Sequence, residues 1–331
     1  MLPKHQHGGQ LKLASERYNI PLEKWVDLST GINPNSYSLP PVPTSIWQRL
    51  PETNDGLEDA AAAFYGSPHL LPVAGSQEAI QRLPLLRKKS RVGIISPAYH
   101  SHRQSWQAAG HEVIEFERQQ VEDILSSLDV LLLVNPTNPT AERYSRQELG
   151  HWHEQLQQRG GWLVVDEAFM DLTPQESLIE TEPKPGLIVL RSIGKFFGLA
   201  GIRLGFVWAE EAILEELVRL QDDWSVSNPA RWAGRIALGD SVWQHQQRES
   251  IPHVMTEFAA YLEAIYQCKV NDAGLFAYIY LGQNKANSEH KRLCQEAVLT
   301  RLFQGPGALR FGLPTAENLK TIDLQPKVEI I

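Results

Sequence analysis

The chain is short of most features that mark the simpler functional classes. Its 331 residues include only two cysteines, Cys268 and Cys294, without metal-ligand spacing. They give no disulfide framework, and no metal site is expected. Basic residues are in deficit, 31 against 39 acidic, for a net charge of −8. That balance argues against nucleic-acid and anionic-membrane partners, although a few arginines can still dominate one cleft. No apolar run approaches the roughly 18 residues needed to span a bilayer. The opening Met1-Leu-Pro-Lys-His-Gln-His-Gly-Gly9 is polar and lacks the apolar centre of a secretory signal. A cytoplasmic setting is therefore expected. Repeats and low-complexity tracts are missing, and the one proline-rich stretch, Leu39-Pro-Pro-Val-Pro43, reads as a rigid connector. Two nucleotide motifs are also missing. Without Gly-x-x-x-x-Gly-Lys-Ser/Thr, phosphate-loop chemistry loses its support, and without Gly-x-Gly-x-x-Gly after a strand so does a Rossmann dehydrogenase.

What is present is a regular alternation. The length suits one large and one smaller domain. Short runs rich in Val, Ile and Leu fall at 92–96, 113–116, 130–134, 162–165, 187–190 and 204–208. Most do not alternate with polar residues, as expected of strands buried on both faces of a mainly parallel sheet. Helical patterns at 76–88, 145–159 and 210–221 lie between them, giving an α/β order. Beyond about residue 230 the texture changes to one long helical stretch (229–266), short strands near 275–281 and 308–311, and helices near 288–298 and 316–322. The expected division is an N-terminal segment 1–35 packing with the small domain and active site, a large domain 36–230, and a small α+β domain 231–331.

Ligands of open parallel sheets sit beyond the carboxyl ends of the strands, so the residues following the runs matter most. Leu190-Arg-Ser-Ile-Gly-Lys195-Phe-Phe-Gly-Leu-Ala-Gly-Ile-Arg203-Leu-Gly205 supplies an amine, a hydroxyl and a guanidinium in one segment, with Gly198, Gly201 and Gly205 around Arg203. A lysine that bonds a carbonyl cofactor needs a fixed site, and a phosphate needs the other groups. The alternative is a surface lysine beside a glycine-rich loop. Trp162-Leu-Val-Val-Asp166 ends an apolar strand on a carboxylate, which is costly unless a cation meets it. A protonated pyridine nitrogen is one such cation; a magnesium ion or a helix cap are the rivals. Asn135-Pro-Thr-Asn138-Pro-Thr140 reads as a turn, or as an amide aimed at a ligand through a loop with a cis proline. Ala74-Gly75-Ser76-Gln77-Glu78 opens a helix and either faces an anion or simply caps. Tyr99 either stacks on a flat ring or packs.

In order and spacing these segments resemble the fold-type I pyridoxal 5′-phosphate (PLP) enzymes of the aminotransferase superfamily, class I/II, across nearly the whole chain. The resemblance implies an α/β fold, with a large domain on a mainly parallel seven-stranded sheet plus a smaller α+β domain. It also implies a homodimer. Lys195 would be the Schiff-base lysine and Asp166 the pyridine-nitrogen partner. Asn138 would donate to the phenolate oxygen, Tyr99 would stack, and Gly75, Ser76, Gln77, Ser192 and Arg203 would hold the phosphate. Within the superfamily, His7-Gly8-Gly9, Leu28-Ser-Thr-Gly-Ile-Asn33-Pro34, Asp166-Glu-Ala-Phe169, Val189-Leu-Arg-Ser-Ile-Gly-Lys195 and Trp224-Ser-Val resemble the threonine-phosphate decarboxylases of cobalamin biosynthesis. Histidinol-phosphate aminotransferases are relatives of those enzymes and supply the alternative activity. That likeness implies an amino-acid phosphate as substrate, contacted by His7, Gly8, Asn33, Asn138, Arg301 and Arg310, with Arg310 on the α-carboxylate. Two positions depart from the wider pattern. Ala141 stands where the loop usually has glycine, and would be strained at positive φ. Phe169 stands where many aminotransferases have tyrosine, and so lacks a hydroxyl. A PLP-binding regulator without turnover is a further reading, but no DNA-binding extension or basic arm accompanies it.

Overall fold

The computed structural model describes residues 8–325. They form two compact units, one of residues 8–35 and 247–325, the other Ser36–Gln246. The larger unit is built on seven strands: β1 (Leu70–Val73), β2 (Arg91–Ile95), β3 (Glu112–Phe116), β4 (Val130–Val134), β5 (Trp162–Asp166), β6 (Leu187–Ser192) and β7 (Gly205–Trp208). Their order is β1-β7-β6-β5-β4-β2-β3. Strands β3, β2, β4, β5 and β6 pair in parallel, and β7 runs antiparallel to both neighbours. Six of the strands coincide with the apolar runs, because a strand such as β4, buried at every residue, has no solvent face to mark with polar side chains. The exception is β1. Its Pro72 cannot donate to a ladder, which suits an edge position, and β1 pairs only with β7.

The chain moves outward from β2 to β3 and then returns to lay β4 against the other side of β2. Strand order reverses there, and loops leaving the carboxyl ends of β2 and β4 diverge into a crevice. Helices Ser76–Arg82, His100–Ala108 and Glu211–Leu220 contribute Ile80, Trp106, Leu214 and Leu217 to one apolar cluster with Val164, Ile188 and Leu190 of the sheet.

The long helix expected over 229–266 is two helices, Asn228–Gly239 and Ser241–Tyr266. Asp240 leaves the helical conformation (φ −93°, ψ 79°), and its carboxylate accepts the Trp243 amide at 2.9 Å. The first helix belongs to the larger unit: Arg231 donates to Asp55 and Glu58 at 2.8–2.9 Å. The division therefore falls after Gln246 rather than at residue 230.

In the smaller unit, β8 (Val270–Asp272), β9 (Phe276–Tyr280), β10 (Arg301–Phe303) and β11 (Ala308–Gly312) form an antiparallel sheet in the order β10-β11-β9-β8. Helix Gln283–Gln295 begins five residues before the expected 288–298, and Ala316–Thr321 lies where a helix is expected. Val26–Asp27 pairs in parallel with Val298–Leu299, tying the N-terminal segment to the C-terminal elements. Among the described residues, no helix is long and apolar enough to cross a membrane.

Candidate active site

Strands β5 and β6 end side by side, with Asp166 in register with Leu190. Asp166 is 4% exposed. Its Oδ2 lies 3.0 Å from Nε2 of His102, itself buried, and its Oδ1 accepts the Ala168 amide at 3.1 Å. Sequence reasoning missed His102, although a signal existed. Tyr99 precedes helix His100–Ala108 and His102 follows it by three residues, one helical turn. The two rings meet edge to face at 6.2 Å. Removing His102 would leave a buried carboxylate oxygen unsatisfied, at a cost of about 1–3 kcal/mol.

Lys195 lies on the short helix Ile193–Phe196, immediately after β6. A Cβ on Gly194 would come within 2.8 Å of the Ala200 backbone, so this tight return needs glycine. Lys195 Nζ stands 5.7 Å from the centroid of the Phe169 ring. Phe169 follows Asp166 by three residues, so the lysine is brought toward the end of β5, over an aromatic face that attracts an ammonium.

Beside this pair the larger unit gathers four polar groups. Gly75 has φ +73°, and a Cβ there would come within 2.6 Å of Arg203 Nη2. A Cβ on Gly205 would come within 2.6 Å of the Ser76 nitrogen. Gly205 is also the register partner of Ser192. Two missing side chains thus let Ser76, Ser192 and Arg203 approach one another. Arg203 has positive φ (+55°) and donates to the Ala200 carbonyl at 3.1 Å. Gln77 accepts from the Tyr99 hydroxyl at 3.3 Å, which links the stacking candidate to the same helix.

Asn138 sits in the loop after β4. That loop has cis bonds at Asn135–Pro136 and Asn138–Pro139. Asn135 staples it, donating to the Tyr144 carbonyl and accepting the Tyr144 amide, each at 3.1 Å. Ala141 has φ +61°, so the loop holds the conformation that favours glycine and carries the strain in an alanine.

Three remote segments converge in the smaller unit. Arg310, on β11 and 7% exposed, donates to the Ser29 carbonyl at 3.0 Å. A Cβ on Gly8 would come within 2.3 Å of that same carbonyl oxygen, and the Gly9 amide donates to Ser29 Oγ at 2.8 Å. Gly312 approaches Thr30 so closely that a Cβ would come within 2.1 Å of its carbonyl oxygen. Across the sheet, Arg310 has Arg301 of β10 and Tyr278 of β9 as direct register partners. Like charges directly opposite are unfavourable. Burial, and then Arg301, push the Arg310 guanidinium down to about 9, so it stays cationic at neutral pH. Asn33 is fully buried, its amide donating to Gln247 at 2.9 Å and its carbonyl accepting the Asn35 amide at 3.0 Å. His7 lies outside the described residues.

A model of the family "Aminotransferase class I and II" matches residues 25–322. The chain is 48% identical over 313 residues to the threonine-phosphate decarboxylase of Pseudomonas aeruginosa, covering 94% of each chain. It is 38% identical over 318 residues to the threonine-phosphate decarboxylase of a Sinorhizobium species, covering 93% of this chain and 92% of that one. In fold it is similar to the crystal structure of histidinol-phosphate aminotransferase from Sinorhizobium meliloti in complex with pyridoxal 5′-phosphate. The TM-score is 0.78 at 16% identity, covering 97% of this chain and 94% of the other.

Proposed function

Because the chain belongs to the class I and II aminotransferase family, with the fold-type I architecture of PLP-dependent transferases, we propose that it decarboxylates L-threonine O-3-phosphate to (R)-1-aminopropan-2-yl phosphate. That product would serve the aminopropanol arm of cobalamin biosynthesis. The observation that carries the choice of reaction is the 48% identity, over 94% of both chains, to a threonine-phosphate decarboxylase.

The residues of the larger unit fit PLP. A phosphate suits a place where backbone amide, hydroxyl and guanidinium can crowd together, and Gly75, Ser76, Ser192 and Arg203 form such a place because two glycines leave it open. Gln77 adds a backbone N–H. Asp166, oriented by His102, suits a pyridine nitrogen. Lys195 offers the amine that bonds the cofactor, Asn138 an amide for the phenolate oxygen, and Tyr99 a ring to stack. Phe169 offers no second hydroxyl. When bound, PLP supplies an electron-withdrawing ring that weakens the bonds at the substrate α-carbon.

The protein's task is then to choose the bond. For decarboxylation the chain's own cations would have to hold the substrate carboxylate as the group to be cleaved. Arg310, itself anchored on the Ser29 carbonyl, has the charge and fork geometry to hold a carboxylate. Arg301 would take the substrate phosphate, and His7, Gly8 and Asn33 are proposed as further substrate contacts. The carboxylate would leave as CO2, and the electron pair of the broken bond would take up a proton at Cα. The experiment is CO2 release from L-threonine O-phosphate with PLP present, and stoichiometric CO2 is expected. A keto product that depends on an amino acceptor, without CO2, contradicts decarboxylation. It would favour transamination, the reading supported by the fold likeness to histidinol-phosphate aminotransferase.

A further inference from the structure

The strand ends that carry Asp166 and Lys195 are joined a second time, on the other face of the sheet. Successive side chains of a strand point to opposite faces, so Asp166 turns to His102 and Glu167 turns away from it. Arg191 occupies the equivalent place on β6, one residue beyond the register partner of Asp166 and one before Ser192. Glu167, Asp171 and Arg191 are each 1% exposed. Arg191 Nη1 donates to Glu167 Oε2 at 2.7 Å and to Ser177 Oγ at 3.2 Å, and Nη2 donates to Asp171. Glu167 also accepts the Ser177 hydroxyl at 2.5 Å and the Leu178 amide at 2.8 Å. The guanidinium lies 4.8 Å from the centroid of the Tyr65 ring. One fork therefore grips a residue adjacent to Asp166, and two more from the loop that follows it, while belonging to the strand that leads into Lys195.

We propose that Arg191 is a positioning residue that fixes the separation of Asp166 and Lys195 by clamping Glu167, Asp171 and Ser177 beneath the site. The proposal rests on the PLP reading of that site. Two buried carboxylates share one guanidinium, so any slackening of the clamp sets two anions against each other, and the strand ends are free to part. Small misplacements of reacting groups carry large rate penalties.

The test compares holoenzyme of the parent with Arg191→Lys, Glu167→Gln and Asp171→Asn. The readouts are the pH midpoint of the visible absorbance of lysine-bound PLP, kcat and KM. Glu167→Gln keeps the side chain's size and a partner for the guanidinium, so it supplies the readout if Arg191→Lys does not fold. The expected result is a displaced midpoint and a loss of about tenfold in kcat, with KM changed by less than about twofold. Arg191→Lys should behave similarly, because a single ammonium does not reproduce the bidentate fork. Folded, PLP-loaded variants with the parent's midpoint and kcat overturn the proposal, even if their melting temperatures fall. A parent without the absorbance overturns the cofactor reading itself.

Discussion

The two units bury charge in opposite ways. In the larger one each carboxylate below the strand ends meets a donor: Asp166 meets His102, and Glu167 and Asp171 meet Arg191. In the smaller one a buried arginine, Arg310, stands directly across a ladder from another, Arg301. The first arrangement sets each buried carboxylate against a cationic or neutral donor within the fold. The second brings two positive charges into register, at some cost in stability, which suits the anion-binding role proposed for Arg310 and Arg301. A chain with net charge −8 can thus still present a cationic site, because two strands place their guanidiniums in register.

This contrast is open to direct attack. The largest effect is expected in the larger unit. Glu167→Ala breaks a buried pair and should cost about 3–5 kcal/mol in urea unfolding; a loss below about 1 kcal/mol would show that the network is not the stabilising element described. Next comes Arg310→Met, which should lower kcat/KM by two to three orders of magnitude, equivalent to about 3–4 kcal/mol for one lost buried charge partner. Activity within about threefold of the parent would remove Arg310 from substrate binding. Arg301→Gln should have the opposite sign on stability. It relieves the cross-strand repulsion and should raise the melting temperature of ligand-free protein slightly, by the equivalent of up to about 1 kcal/mol, while weakening substrate affinity. Destabilisation there would break the comparison.

The smallest effect concerns pH. Burial alone would raise the Asp55 carboxyl, but hydrogen bonds from Arg231 and the Leu57 amide hold it below its ordinary value. A depressed folded pKa gives stability that is present above the unfolded value, about 3.9, and is lost as pH falls through the folded value. Acid unfolding of the parent and Asp55→Asn should therefore differ most above pH 4 and converge below it. A constant difference between the two would contradict this.

Much of the larger unit was legible in the sequence, because strands buried on both faces appear as unbroken apolar runs and the residues that follow them are conspicuously polar. Edge strand β1 was not, since Pro72 reads as a turn signal. The reversal of β7 was not, since direction leaves no mark on composition. His102 escaped notice because its one mark, a place one helical turn after Tyr99, gains meaning only when the fold brings Asp166 beside it. Arg191 was read as part of the segment before Lys195, but its partners Glu167 and Asp171 become visible as partners only when β5 and β6 pair. In the smaller unit Arg301 and Arg310 were singled out separately, and their opposition depends on the register set by the turn at 304–307, which spacing alone does not give. The single helix expected over 229–266 failed at Asp240, whose cap on the next helix is a local event that helical periodicity does not report.

The central claim is that Lys195 bonds PLP and Asp166 supports it. The most direct measurement is the visible spectrum of purified protein with PLP, for the parent and for Lys195→Ala, recorded with turnover of L-threonine O-phosphate. The parent should show the absorbance of lysine-bound cofactor and release CO2, and the variant should lose both. A Lys195→Ala variant that keeps the absorbance and the activity contradicts the account.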